Sequence, residues 1–219
     1  MQIIKSSLNH TVVMPKMAGA GPHPTIVLLH GRGADKNDLL GLTPYLDPRF
    51  MFISAQAPIK FPLGGYTWYE ILEAGTPEAV QFEESYGKLL KFFSDIRRHY
   101  PVDSKNLYLL GFSMGTVMAY ALSLAQPRIV KGVVAHSGYI PLGTPLDLQW
   151  QKQESISYFI AHGTLDPIIP VESARKAREL LSRTKATLTY REYLIHHQIS
   201  EESLRDAAYW LRNLLDSRA

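Results

Sequence analysis

The stretch NLYLLGFSMGTVMAYALSLA, Asn106 to Ala125, changes character half-way along. Asn106 to Leu110 is a short apolar run with strand character, and Thr116 to Ala125 is an Ala- and Leu-rich run of helical length. Between them stands the pentapeptide Gly111-Phe112-Ser113-Met114-Gly115. A G-x-S-x-G run at a strand-to-helix junction predicts a sharp turn that lifts the serine hydroxyl above the end of a sheet. Gly111 and Gly115 lack a Cβ, so neighbouring backbone can pass close to a turn whose central residue is strained. An ordinary loop would also match a bare pentapeptide, so the rest of the chain has to decide.

Working outward, the same alternation recurs. Thr25 to His30 (TIVLLH), Phe50 to Ala55, Val130 to Ala135 and Ser157 to Ala161 are short, nearly all-apolar runs, the pattern of parallel strands buried on both faces. Thr187 to Leu194 alternates as a half-exposed strand nearer a sheet edge, and His10 to Met17 reads as an outer strand followed by a turn over Ala18 to Pro24. Helices are expected at Leu39 to Leu46, Val171 to Ser182 and Ser203 to Leu215. Another begins at Thr76-Pro77-Glu78, with Thr76 as N-cap and Pro77 in the first helical position. Its apolar face is Phe82, Tyr86, Leu89, Phe93 and Ile96, and Arg97, Arg98 and His99 sit at its C-terminal end. Ile59 to Gly75 and Ile140 to Glu154 read as loops. Strands and helices at these spacings imply β-α-β crossovers, hence an α/β fold with a mostly parallel, doubly wound sheet and helices on both faces. Ligands of such sheets sit outside the carboxyl ends of the strands, where every polar motif of this chain falls.

Composition is that of a soluble globule: 219 residues, 46% hydrophobic and 20% charged, with a formal net charge of +3. One domain spanning residues 1–219 is expected. The charges are interspersed, which gives no reason to expect a nucleic-acid partner. No apolar stretch approaches membrane-span length, and Met1 to His10 lacks signal-peptide organisation, so a cytoplasmic protein without stable membrane insertion is expected. With no cysteine there is no disulfide, thiolate metal site or cysteine nucleophile. The eight histidines show no HExxH or comparable spacing, and neither metal nor cofactor is expected.

A serine nucleophile needs a base to take its proton and an acid to hold that base. In nucleophile-elbow folds the order is Ser, Asp or Glu, His. Asp166 follows a buried strand 53 positions after Ser113, and His197 lies 31 positions further on, between the last strand and the last helix. An Asx-turn or a helix cap before Val171 would equally suit Asp166 taken alone. Donors for an oxyanion are the backbone N–H groups of Met114 and of Arg32, the latter flanked by Gly31 and Gly33. Asp103 and Asp147 are poorly placed, and Ser137 lacks the elbow setting. His30, His136 and His162 lie near strand ends and are expected to bond loop backbone, whereas His10, His23 and His99 read as surface. Trp68 and Tyr69, in the aromatic loop, either line a substrate pocket or pack against the core. The Arg32 guanidinium is a candidate partner for an anionic substrate group.

LHGRGADKNDLL, GFSMG, HSGYIP, HGTLDPIIP and HHQISEESLRDAAYWL occur in that order from about Thr25 to Leu215. This ordered set resembles the phospholipase/carboxylesterase family of α/β-hydrolases, which includes the acyl-protein thioesterases. The resemblance implies a compact, lidless serine hydrolase acting on small-molecule esters or thioesters without metal or cofactor. It also implies Ser113, Asp166 and His197 as the triad, Arg32 and Met114 as oxyanion donors, and a possible homodimer. Two features depart from the family. Met114-Gly115-Thr116 stands where Gln-Gly-Gly is usual, making the pocket wall less polar, and His196-His197 stands where Gly-His is usual. His197 rather than His196 keeps register with the family's ending.

Overall fold

The computed structural model describes residues 4–16, 21–72 and 76–217. Its centre is a seven-stranded sheet. The strands of the sheet are β1 (His10–Val13), β2 (His23–Leu29), β3 (Met51–Ala55), β6 (Val102–Phe112), β7 (Gly132–His136), β8 (Ser157–Gly163) and β9 (Thr187–Tyr193). Their order across the sheet is β1-β3-β2-β6-β7-β8-β9, with β1 antiparallel and every other pairing parallel. A small hairpin of β4 (Ile59–Lys60) and β5 (Tyr66–Thr67) stands apart. The strand order reverses between β2 and β6, which makes the end of β6 the switch point where ligands of such sheets bind.

Strand periodicity explains the layers. In β2, Val27 and Leu29 point to one face while Ile26 and Leu28 point to the other. In β6, Leu107 and Leu109 oppose Tyr108 and Leu110, and in β8, Tyr158 and Ile160 oppose Phe159 and Ala161. Two apolar faces need two covers. The first is closed by α1 (Ala79–His99), α2 (Met114–Ala125) and α3 (Glu172–Ser182), through residues such as Phe82, Phe93, Val117 and Leu181. The second is closed by α4 (Glu201–Asp216) and the 3-10 segment Asp38–Tyr45, through Leu204, Ala207, Leu211 and Leu39. Asp47, buried beside that segment, accepts from Arg49 Nε (2.9 Å) and Arg212 Nε (3.1 Å), which ties the segment to α4. Hydrogen bonding from Arg49 above all holds its carboxyl well below the usual range. Among the described residues no helix is long and apolar enough to cross a membrane.

Several boundaries differ from the sequence reading. The expected helix over Leu39 to Leu46 is a 3-10 segment, because Pro44 lies inside it and cannot sit in an α-helix interior without losing a bond and clashing. The N-cap of α1 is Glu78 rather than Thr76: its carboxylate accepts from Val80 N–H (3.2 Å) and Gln81 N–H (2.8 Å). Strand β1 ends at Val13, and β2 begins at His23, inside the expected turn, of which Ala18 to Ala20 lie outside the described residues. Within Ile59 to Gly75 the structure forms the β4–β5 hairpin, with residues 73–75 not described, and a 3-10 turn at Trp150–Lys152 interrupts the later loop. His10 and His23 are buried, against the surface reading. His10 bonds the Tyr100 hydroxyl (2.6 Å) and the Leu8 carbonyl (3.1 Å), which satisfies both ring nitrogens inside the core.

Phe159 shows how the second face holds. It is 1% exposed, with its ring 5.8 Å from that of Trp210 on α4. Truncation to alanine leaves a cavity between sheet and helix. Phe159→Ala is expected to lower unfolding free energy by about 3–5 kcal/mol, read as a lower urea midpoint with an unchanged m-value.

Candidate active site

Ser113 occupies a turn that few residues tolerate. Its φ of 55° and ψ of −120° lie in a region disfavoured for side-chain-bearing residues. Close packing leaves the backbone no alternative. A Cβ on Gly115 would stand 1.9 Å from the Leu29 carbonyl oxygen at the end of β2. One on Gly111 would meet Thr116 N at 2.6 Å and the Gly115 carbonyl oxygen at 2.7 Å. The His136 carbonyl at the end of β7 then accepts both Ser113 N–H (3.0 Å) and Thr116 Oγ1–H (2.6 Å). Thr116, where the family usually has glycine, is accommodated from the facing loop: a Cβ on Gly138 would lie 2.5 Å from its methyl group.

Asp166 and His197 come together over the end of β8. A Cβ on Gly163 would lie 2.2 Å from the Ile195 carbonyl oxygen, so only glycine lets the segment before His197 cross there. Thr164 N–H to Tyr193 O (2.8 Å) and Leu165 N–H to Ile195 O (3.1 Å) hold the two loops together. His197 Nδ1 is 2.7 Å from Asp166 Oδ2, while Asp166 Oδ1 accepts from Ile168 and Ile169 N–H, both at 2.9 Å. Asp166 thus uses one oxygen in an Asx-turn and the other in its pairing with His197. Burial favours the neutral acid, but the bonds from His197, Ile169 and Ile168 outweigh it and keep the carboxyl below its ordinary range. His196 is exposed and takes no part in this pairing.

His197 reaches the serine side of the site by packing on Phe112, the residue before Ser113, with ring centroids 4.9 Å apart. Among the described residues no hydrogen bond joins Ser113 Oγ to His197, a looseness common before substrate binds. The Met114 and Arg32 N–H groups have no backbone acceptor among the described residues. Met114 N–H is the first orphan donor of α2. Arg32 is held by the hairpin: Gly33 N–H bonds Tyr66 O and Tyr66 N–H bonds Ala34 O, both 2.8 Å. Its guanidinium pairs with Glu70 (2.8 Å) and lies 4.4 Å over the Phe61 ring, so it is already occupied. Trp68 and Tyr69 are fully buried. Trp68 Nε1 donates to the His30 carbonyl (3.0 Å), and the Tyr69 hydroxyl is 3.3 Å from that of Tyr139.

His30 and His162 do bond loop backbone, through Gly31 O (2.7 Å) and Ile169 O (2.8 Å). For His136 no bond to loop backbone is found among the described residues, and its buried Nε2 has no partner there. The sequence reading also missed the close approaches at Gly138 and Gly163. Their signal is the His-Gly and Ser-Gly pairs placed at strand ends.

With this geometry in place, known proteins can be compared. A sequence profile of the Phospholipase/Carboxylesterase family matches residues 9–215. The chain belongs to that family. It is accordingly a carboxylic ester hydrolase. Acyl-protein thioesterase 1 of Candida albicans is 24% identical over 90% of this chain and 95% of its own length. The crystal structure of the Bacillus cereus carboxylesterase superposes with a TM-score of 0.84 at 24% identity, covering 94% of both chains. A carboxylesterase from Mesorhizobium loti gives 0.85 at 19% identity, over 96% of this chain and 97% of its own. At these identities the two structures speak for the fold alone.

His136, whose carbonyl anchors the elbow, has its own pH signature. Burial above all, with repulsion from His162 once that ring too is protonated, lowers its pKa from 6.5 to about 4. The unfolded chain binds a proton there that the folded chain refuses, so stability present above pH 6.5 is lost as pH falls from 6.5 towards about 4. His136→Met is expected to flatten this dependence. The drop in unfolding free energy between pH 7 and pH 4.5 should shrink by about 2–3 kcal/mol, measured by urea titration at the two pH values.

Proposed function

We propose that Ser113, His197 and Asp166 form the catalytic triad of this hydrolase. The 2.7 Å pairing of His197 with Asp166, beside a serine on a strained strand-to-helix turn, carries the reading. Ser113 Oγ attacks the ester carbonyl while His197 Nε2 takes its proton, and the bond to the alcohol breaks as His197 returns that proton to the leaving oxygen. Water then attacks the acyl-serine with the same base, releasing the acid and restoring the serine. Asp166 fixes the imidazole tautomer through Nδ1 and stabilises the imidazolium that forms at each step. Arg32 and Met114 N–H groups receive the negative charge on the tetrahedral oxygen.

For the substrate we infer an ester with an apolar group of moderate size. Exposed large apolar side chains stand on the segments that follow the strands at their carboxyl ends, among them Leu63, Leu142, Leu165, Ile168 and Leu194. A thioester is the second reading, favoured by the thioesterase among the relatives.

Hydrolysis of p-nitrophenyl acetate and octanoate, beside an octanoyl thioester, tests both parts. Ser113→Ala and His197→Ala are expected to lose at least about 1,000-fold in kcat, and octanoate to be preferred to acetate. Retention of activity in His197→Ala would remove it from the triad. A preference for acetate would dismiss the apolar-substrate reading, and faster turnover of the thioester than of its oxygen ester would favour the second.

A further inference from the structure

His162, the sixth residue of β8, has no part in the proton transfers just described, yet it is buried against the acid of the proposed triad. Its Nε2 lies 2.8 Å from the Ile169 carbonyl oxygen and 3.4 Å from Asp166 Oδ2. A carbonyl only accepts, so the proton sits on Nε2. Nδ1, buried without a partner among the described residues, is then a bare lone pair. Burial lowers the pKa of this ring despite its acceptors, and the neutral form with one fixed tautomer results.

Two hydrogen bonds and one close contact around Asp166 form a ring. Ile169 gives its N–H to Asp166 Oδ1 and its carbonyl to His162, whose Nε2 lies beside Asp166 Oδ2. That second oxygen is the one paired with His197. The carboxylate is therefore contacted at both oxygens by groups other than His197, and rotation about χ2 would break contacts at each.

We propose that His162 is the positioning residue of the triad acid, setting the plane of the Asp166 carboxylate so that Oδ2 faces His197 Nδ1. The inference rests on the triad reading. The titratable groups facing His162 are Asp166, His197, Glu192 and His136, so an effect on pH dependence has to be read on His197 through Asp166.

The test is the pH profile of kcat/KM on p-nitrophenyl octanoate for His162→Phe, His162→Asn and His162→Gln, with folded protein quantified by circular dichroism. Phe removes the donor, and Asn is too short to reach the Ile169 carbonyl. Gln keeps an N–H at about the position of Nε2. The Phe and Asn variants are expected to lose roughly 10- to 100-fold in kcat with KM within about twofold. Their acid limb should move to lower pH, because an imidazolium facing a misaligned carboxylate is less stable. His162→Gln should recover most of both. Should His162→Phe not fold, His162→Asn carries the same expectation. An acid limb unmoved in the folded variants, or no recovery with Gln, would overturn the proposal. Failure of the underlying triad is separately visible, since His197→Ala would then keep its activity.

Discussion

The backbone of Gly115 and the carbonyl of Leu29 occupy the same narrow space, and the rest of the site follows from that contact. The first turn of α2 lies against the end of β2 at a distance that excludes even a methyl group. With Gly111 equally close to the Gly115–Thr116 peptide, the chain between strand and helix can turn only with Ser113 at positive φ. Such a conformation costs about 1–3 kcal/mol. The cost is offset by a sheet buried on both faces and by two hydrogen bonds to the His136 carbonyl. Met114 N–H, first in the helix that follows, has no backbone acceptor among the described residues.

Electrostatics at the second half of the site depend on the same kind of close approach. Gly163 lets the segment before His197 lie on the end of β8, and this brings an imidazole to a carboxylate that already accepts two backbone N–H groups. The two histidines around Asp166 then differ by exposure. His162 is fully enclosed, whereas the His197 side chain is 17% exposed, the accessibility that its proposed role as the base requires. On that proposal one acid serves a fixed neighbour and a working one.

Much of this was readable from residues. The strands of β2, β3, β7 and β8 announce themselves because burial on both faces leaves no polar position to confuse the pattern. The turn at Ser113 and the candidates Asp166 and His197, which the structure pairs, are legible because chain order and strand-end placement can be read along the sequence. What escaped was non-local. Glu78 caps α1 instead of Thr76, because Pro77 pairs with Ile71 in a bridge and the Thr76 carbonyl accepts from Leu72 N–H, so the chain is still extended there. His10 looks like a surface histidine until Tyr100, 90 residues away, supplies its partner. His162 was placed with His30 and His136 as a backbone binder, and its second neighbour, Asp166, appears only once the loop after β8 is folded. Trp68 was ambiguous between pocket and core, and its indole N–H bond to the His30 carbonyl accompanies complete burial.

The β4–β5 hairpin has a consequence for heat tolerance. Its strands are two residues each, its tip carries an exposed Leu63, and it alone supplies the Tyr66 backbone bonds that hold Gly33 and Ala34. A two-stranded hairpin is marginal by itself, and peripheral segments of this kind open at a fraction of the global unfolding free energy. Opening of the hairpin would free the loop carrying Arg32, one of the two oxyanion donors proposed above, while the sheet remained intact. On that proposal catalytic competence would follow a local melting equilibrium, and activity is expected to fall on warming before secondary structure is lost.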